Sequence, residues 1–170
     1  MEYIYKLAAK DLPCHPDMPS NCILVNSFRS YLSLSLLSVS TFGYLGALKG
    51  LFKVLSKKRA LLVIKRGNKV VSYCWMNAGF CNHYDMEPHS IVIGTFWTDE
   101  NCRGQGLATI LLRAALGCIK ADGRAEHAYI DTSESNYPMQ AVIEKCGFGA
   151  AVATFSPGQP GIASSRPIDQ

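Results

Sequence analysis

Apolar residues recur along the chain with two periods, one typical of strands and the other of helices. Apolar runs at residues 60–66 and 69–76 flank Gly67 and Asn68, a pair that favours a two-residue hairpin turn. A shorter run at residues 2–7 predicts an edge strand. The first half of the chain therefore contributes at least these three strands.

A long apolar stretch separates the first strand from the hairpin. Residues 8–21 are proline-rich and predict a connection, and residues 23–57 predict a largely helical layer. Residues 31–48 carry no charge, but serines, threonines and glycines interrupt them. We therefore expect a layer covering a sheet rather than a transmembrane span. A partner surface or a membrane-associated patch stays open for this segment.

The second half of the chain alternates strands with amphipathic helices. A loop at residues 77–90 leads into an apolar run at residues 91–98, which predicts a central strand. Apolar residues then recur at helical spacing up to Gly123, which ends the helix. These are Leu107, Ile110, Leu111, Ala114, Ala115 and Cys118.

The remaining elements complete one domain. The order is a strand at residues 125–132, a helix from Asn136 to Gly147, a strand at residues 149–155 and a flexible tail at residues 156–170. Asn136 offers an N-cap, and Pro138 suits the first turn of the helix. We expect a single α/β (α+β) domain over residues 1–155.

Composition narrows the class of protein. A chain of 170 residues with 48% hydrophobic residues can bury one substantial core. The net charge of +4 is spread along the chain, with one dense cluster at residues 57–59. Nucleic-acid binding needs a stripe of basic residues, so we expect no nucleic-acid partner.

The cysteines indicate a reducing compartment. There are seven of them, an odd number without a Cys-x-x-Cys pair, which favours free thiols in the cytoplasm over a disulfide framework. Cys81 and His83, like Cys14 and His15, do not have the spacing of a zinc finger or ribbon, so we expect no metal site. The first residues do not resemble a secretory signal.

The most specific chemical signal is a glycine loop between the central strand and the first long helix. Residues 103–108 read Arg-Gly-Gln-Gly-Leu-Ala. A dinucleotide fingerprint needs a third glycine where Thr109 stands, and a P-loop needs Gly-Lys-Ser/Thr. The loop nevertheless predicts an anion cradle, because free amides and the helix dipole converge there and glycine allows close approach.

Two motifs together resemble the GNAT superfamily of N-acetyltransferases. The first is Arg-x-x-Gly-x-Ala at Arg103, Gly106 and Ala108, and the second is Asn136 followed by a helix ending in Glu-Lys-x-Gly-Phe at residues 144–148. The resemblance covers roughly residues 60–155. It implies a mixed, mostly antiparallel central sheet with splayed central strands, flanked by helices, and acetyl-CoA as acyl donor.

The resemblance also implies a set of cofactor-binding residues. The main chain of the central strand would pair with the pantetheine arm, the glycine loop would hold the diphosphate, and the next helix would supply an asparagine. These residues are Phe96, Trp97 and Thr98, then Arg103, Gly104, Gln105, Gly106, Leu107 and Ala108, and finally Asn136.

The catalytic residues follow the family pattern less closely. Many members carry a tyrosine at the position of Ile143, so the proton for the leaving thiolate would come from Tyr137 or Tyr129, or from no side chain. The central strand contains no carboxylate. A base would come from the loop before it or from the end of the next strand, and the candidates are His83, Asp85, Glu87 and His89 or Asp131 and Glu134. Our catalytic set is His83, His89, Asp131 and Tyr137.

The acceptor is the least specified part of the prediction. The central strand and loop look most like members associated with bacterial surface-polysaccharide synthesis, so our first expectation is the primary amine of an amino sugar. The alternatives are a protein or peptide N-acetyltransferase and a non-catalytic, CoA-binding or partner-docking protein of the same fold. The sequence leaves a homodimer open.

Overall fold

The computed structural model describes residues 1–12, 18–156 and 166–167 of the chain. Strands and helices follow one another along these residues, and the elements are numbered in chain order. The strands are β1 (Glu2–Ala8), β2 (Cys22–Val25), β3 (Arg59–Arg66), β4 (Lys69–Ala78), β5 (Ser90–Thr98), β6 (His127–Ser133), β7 (Ala153–Phe155) and β8 (Arg166–Pro167). The helices are α1 (Phe28–Leu32), α2 (Ser35–Leu55), α3 (Leu107–Asp122) and α4 (Tyr137–Lys145).

One sheet contains all of these strands, in the order β2-β3-β4-β5-β6-β1-β7-β8. Its neighbouring strands are antiparallel except for the parallel pair β5 and β6. The expected mixed, mostly antiparallel sheet flanked by helices is confirmed. The expectation that residues 2–7 form an edge strand is wrong, because β1 pairs with β6 on one side and β7 on the other.

Alternating side chains of the strands build cores on both faces of the sheet. Ile93 of β5 and Ile130 of β6 lie on the face that α3 and α4 cover, with Leu111 and Ile143 packed against them. On the opposite face, α1 and α2 cover β2 to β4. The loop between β4 and β5 covers β6, β1 and β7 on that second face, where Tyr84 is buried.

Local signals in the sequence located three of the element ends. Gly67 has a φ of 56° in the hairpin turn, and Gly123 caps α3 with a φ of 69°. Asn136 caps α4, since its side chain accepts a hydrogen bond from Met139 N at 3.3 Å. These predictions are confirmed.

The segment predicted as a largely helical layer contains α1 and α2, but it is not helical throughout. It begins with strand β2, and α2 is interrupted at Gly43, whose φ of 68° and ψ of 170° are not helical. No helix of the described residues is long and apolar enough to cross a membrane.

The segment predicted as a tail differs from the prediction, whereas the described cysteines agree with it. The two residues of β8 pair with β7 within the segment predicted as a tail, while residues 157–165 and 168–170 lie outside the described residues. So do residues 13–17 of the proline-rich connection, including Cys14. The described cysteines are free thiols, as predicted. Burial raises the pKa of Cys22 to about 11, so this thiol stays protonated.

Candidate active site

An open groove forms where β5 and β6 separate. Their pairing ends at Val92 and Tyr129, although β5 continues to Thr98 and β6 to Ser133. A β-bulge leaves Thr95 of β5 without a partner on β4, and its φ is 56°. A bulge bends a strand and increases its twist, which accounts for the divergence of β5 from β6. The predicted splay is present.

The end of β5 presents to this groove main-chain groups that no described strand pairs with. Asp99 N donates to Val71 O at 2.9 Å, so the main-chain groups of Asp99 point towards β4. Since main-chain groups of successive residues point to opposite sides, Trp97 also faces β4, while Phe96 and Thr98 face the groove. The Trp97 ring stacks on Tyr73 with centroids 5.5 Å apart. Of the three predicted residues, Phe96 and Thr98 therefore offer the groove free amides and carbonyls.

The glycine loop brings a series of free amides to the same place. A single 3-10 turn at Glu100–Cys102 follows β5, and Gly104 and Gly106 then adopt φ values of 73° and 74°. Gly106 is the N-cap of α3 and gives it no side-chain cap. Within the described part of the chain, the amides of residues 104–109 have no hydrogen-bond acceptor. The predicted anion cradle therefore has the required donors.

Hydrogen bonds from neighbouring residues hold this loop. Asp99 Oδ1 accepts from Asn101 N at 2.9 Å, and Gln105 Nε2 donates to Asn101 O at 3.4 Å. Arg66, at the end of β3, donates to Gln105 Oε1 at 2.5 Å and contacts Cys102 Sγ at 3.8 Å. Arg66 was missed by the sequence analysis, because no local motif links β3 to a loop 39 residues away.

Helix α4 begins beside the N-terminus of helix α3. Because β5 and β6 are parallel, α3 and α4 follow them at the same edge of the sheet, with Gly106 and Asn136 at their N-termini. Ligands bind characteristically at this edge, outside the carboxyl ends of parallel strands. Tyr137 is the first residue of α4, is 73% exposed, and has no hydrogen-bond partner among the described residues. The family's tyrosine position, Ile143, is fully buried.

A carboxylate and a phenol meet on the other face of the sheet, at the unpaired end of β6. Tyr84 donates to Asp131 Oδ1 at 3.2 Å. Burial raises the pKa of Asp131 above its ordinary value, and the Tyr84 hydroxyl and nearby His83 offset part of this rise. Burial also raises the pKa of Tyr84, so its hydroxyl stays protonated. Asp131 is therefore more basic than an exposed aspartate.

His83 belongs to this group, and His89 does not. The His83 ring is exposed and stacks on Phe155, with centroids 5.8 Å apart. His89 lies before the first residue of β5, about 20 Å from Phe96 at the rise of a strand. Its φ is 55°, and its carbonyl accepts from Glu126 N at 2.7 Å. The structure thus brings together His83 and Asp131, with Tyr84 as a partner that the sequence analysis missed.

The other loop carboxylate near a strand, Glu87, is held in an ion pair. Lys6 Nζ lies 2.6 Å from Glu87 Oε1, and His127 Nδ1 lies 2.9 Å from Glu87 Oε2, outside hydrogen-bond geometry. The hydrogen bond from Lys6 lowers the pKa of Glu87. A carboxylate with a lowered pKa is a poorer base, so Asp131 is the stronger candidate.

Comparison with known proteins agrees with this geometry. Residues 37–148 match the family described as the Acetyltransferase (GNAT) family. An N-alpha-acetyltransferase of Saccharolobus solfataricus is 33% identical over 72 residues, which are 41% of this chain and 43% of that protein. The match thus spans less than half of this relative.

Solved structures share the fold at low sequence identity. AAC(6')-Iy in complex with the bisubstrate analogue CoA-S-monomethyl-acetylneamine superposes with a TM-score of 0.60 at 15% identity, over 84% of this chain and 100% of that chain. A GNAT-family acetyltransferase from Colwellia psychrerythraea superposes with a TM-score of 0.57 at 16% identity, over 88% of this chain and 52% of that chain.

Proposed function

The chain belongs to the GNAT family of acetyltransferases, and from that premise we propose that it transfers an acetyl group from acetyl-CoA to the primary amine of a small molecule. Acetyl-CoA is the acyl donor of this family. The observation that carries the proposal is the run of free amides at residues 104–109 beside the end of β5, where β5 no longer pairs with β6.

These residues suit the donor's chemistry. The amides of the glycine loop and the first turn of α3 would bind the diphosphate, with Arg103 and Arg66 adding positive charge. An added Cβ at Gly104 or Gly106 would have no protein atom within 4 Å, so these glycines border open space. Phe96 and Thr98 would bind the amides of the pantetheine arm, and Asn136, the N-cap of α4, would face the donor from the other side of the groove.

The proposed chemistry on the protein side is removal of a proton. The bound thioester would supply an activated acetyl carbon, and an amine attacks it only when unprotonated. Asp131 would take the proton from the acceptor amine, and Tyr84 would orient the carboxylate. His83 would bind the acceptor on the exposed side. Tyr137 remains the candidate donor of a proton to the thiolate, since Ile143 has none to give.

An amino sugar is the acceptor that we infer first. His83, Tyr84 and Asp131 supply several hydrogen-bonding groups within one small area, which suits the hydroxyls and amine of a sugar. The acetylneamine analogue bound by AAC(6')-Iy supports an acceptor of this class. The name of the Saccharolobus relative favours a second candidate, the α-amino group of a protein or peptide.

Two measurements test the proposal. Acetyl-CoA at a hundred times its dissociation constant should raise the free energy of unfolding by about 2.7 kcal/mol, measured by thermal unfolding. An amine panel of amino sugars, aminoglycosides and N-terminal peptides, read by thiol release, then separates the acceptors. The absence of stabilisation would remove the proposal altogether. Stabilisation without turnover on any amine would identify a CoA-binding protein that is not an enzyme.

A further inference from the structure

A row of large apolar side chains lies on the solvent side of α1 and α2. Leu45, Leu48, Phe52 and Leu55 follow helical spacing along α2, with Tyr44 beside them, and their exposure ranges from 47% to 83%. On α1, Phe28 and Leu32 are 48% and 49% exposed. We call these seven residues the outer stripe.

The outer stripe is distinct from the face by which α2 packs on the sheet. Ala47 and Val54 are buried on that inner face. Tyr31 of α1 donates a hydrogen bond of 2.5 Å to Ala47 O, and an added Cβ at Gly50 would lie 2.6 Å from the Tyr31 hydroxyl oxygen. The inner contacts fix the helix, so its second apolar face is presented to the surroundings.

The segment of the chain that carries the outer stripe has charges of one sign. Residues 18–84 contain nine lysines and arginines and no aspartate or glutamate. Lys49 lies on α2 beside the stripe, Lys53 on the same side covers the Trp75 ring at 5.0 Å, and exposed Lys57 and Lys58 follow the helix end. Burial lowers the pKa of Lys53, and the neighbouring Arg59 and Lys49 lower it further.

This charge decides between the surfaces that could cover the outer stripe. Two copies meeting stripe to stripe would bring these lysines together with no carboxylate from residues 18–84 to pair with them, and like charges at an interface cost several kcal/mol. The partner must be apolar and anionic at once. A bilayer with anionic headgroups meets both requirements, with acyl chains below and negative charge at the level of the lysines.

We propose that the outer stripe and its lysines dock the protein on an anionic lipid bilayer, with α2 lying in the headgroup region. The stripe would enter the boundary with the acyl chains, while Lys49 and Lys57 contact lipid phosphates. Such binding is reversible and needs no membrane span. It does not depend on acetyl transfer.

Co-sedimentation of the full chain with vesicles tests this docking. Vesicles of phosphatidylcholine alone are compared with vesicles that also contain phosphatidylglycerol. We expect binding to the anionic vesicles, weakened by salt, and weak binding to phosphatidylcholine alone. The double variant L45S/F52S should lose binding, and K49Q should lower the partition coefficient about fivefold. Matched controls elsewhere on the surface are V152S and K145Q, which should bind like the wild type.

Other outcomes would overturn the proposal. Equal binding of L45S/F52S and wild type would show that the lipid contacts another surface. A failure to bind either vesicle would show that the stripe does not dock on lipid, and sedimentation equilibrium would then reveal whether a second copy covers the stripe. Thermal unfolding of each variant checks that the exposed substitutions leave the fold intact.

Discussion

At the scale of single residues, the burial of Asp131 has opposite consequences for stability and activity. Its pKa in the folded chain is raised, so its contribution to stability is present below the unfolded pKa and lost as pH rises through the folded pKa. Asp131→Asn should therefore be at least as stable as wild type at neutral pH. Its acetyl-transfer rate should fall by about a hundredfold or more, since the base is lost.

Urea unfolding across pH, together with steady-state rates, checks this prediction. The stability difference between D131N and wild type should move in favour of the variant as pH rises through the Asp131 pKa. Retained activity in a variant that is destabilised at neutral pH would mean that Asp131 serves the fold and not the reaction.

Tyr84 should control the pH at which Asp131 works. Its hydrogen bond holds the pKa of Asp131 below the value that burial alone would give. Tyr84→Phe should therefore raise that pKa further and move the acid limb of the rate profile to higher pH. The exposed Tyr44→Phe is the matched control. If the acid limb of the rate profile stays at the same pH in Y84F, Tyr84 does not act on the group whose titration limits the rate.

At the scale of elements, the N-terminus of α3 can be tested against its C-terminus. Gly106 and Gly123 have nearly equal φ values of 74° and 69°, and an added Cβ meets no protein atom within 4 Å at either. Valine at either position should cost about 1–2 kcal/mol of stability from backbone strain. Gly106→Val alone should also abolish stabilisation by acetyl-CoA, because its side chain would fill the cradle.

Thermal shifts of both variants with and without acetyl-CoA give the comparison. If G123V loses the acetyl-CoA shift as completely as G106V, strain in α3 explains the loss. If neither variant loses it, the diphosphate binds elsewhere.

The elements that the sequence located are those whose ends carry their own signals. Residues adjacent in the chain determine each of these ends: the hairpin at Gly67, the end of α3 at Gly123 and the cap of α4 at Asn136. Strand β2 was missed because only Asn26 and Ser27 separate its four residues from a helical segment of similar hydrophobicity. Periodicity cannot divide such a segment.

At the scale of the whole molecule, long-range pairing limits how much of the structure could be predicted from the sequence. The cradle amides are local to one strand, loop and helix, so the cofactor loop was predictable. The bond from Tyr84 to Asp131 spans 47 residues, and the one from Arg66 to Gln105 spans 39. The central position of β1 likewise depends on β6 and β7, from the far end of the chain. Such contacts follow from topology and not from motifs.

The coupling of the core to the site gives the last prediction. Ile143 is fully buried between α4 and the sheet, so Ile143→Ala should lose about 2–5 kcal/mol, while the partly buried Val142→Ala should lose less. Acetyl-CoA at a hundred times its dissociation constant should return about 2.7 kcal/mol to each. Urea unfolding with and without ligand measures both quantities. Because the predicted amides lie in the glycine loop and the first turn of α3, the ligand increment should survive in I143A. Its disappearance would make Ile143 a wall of the binding groove.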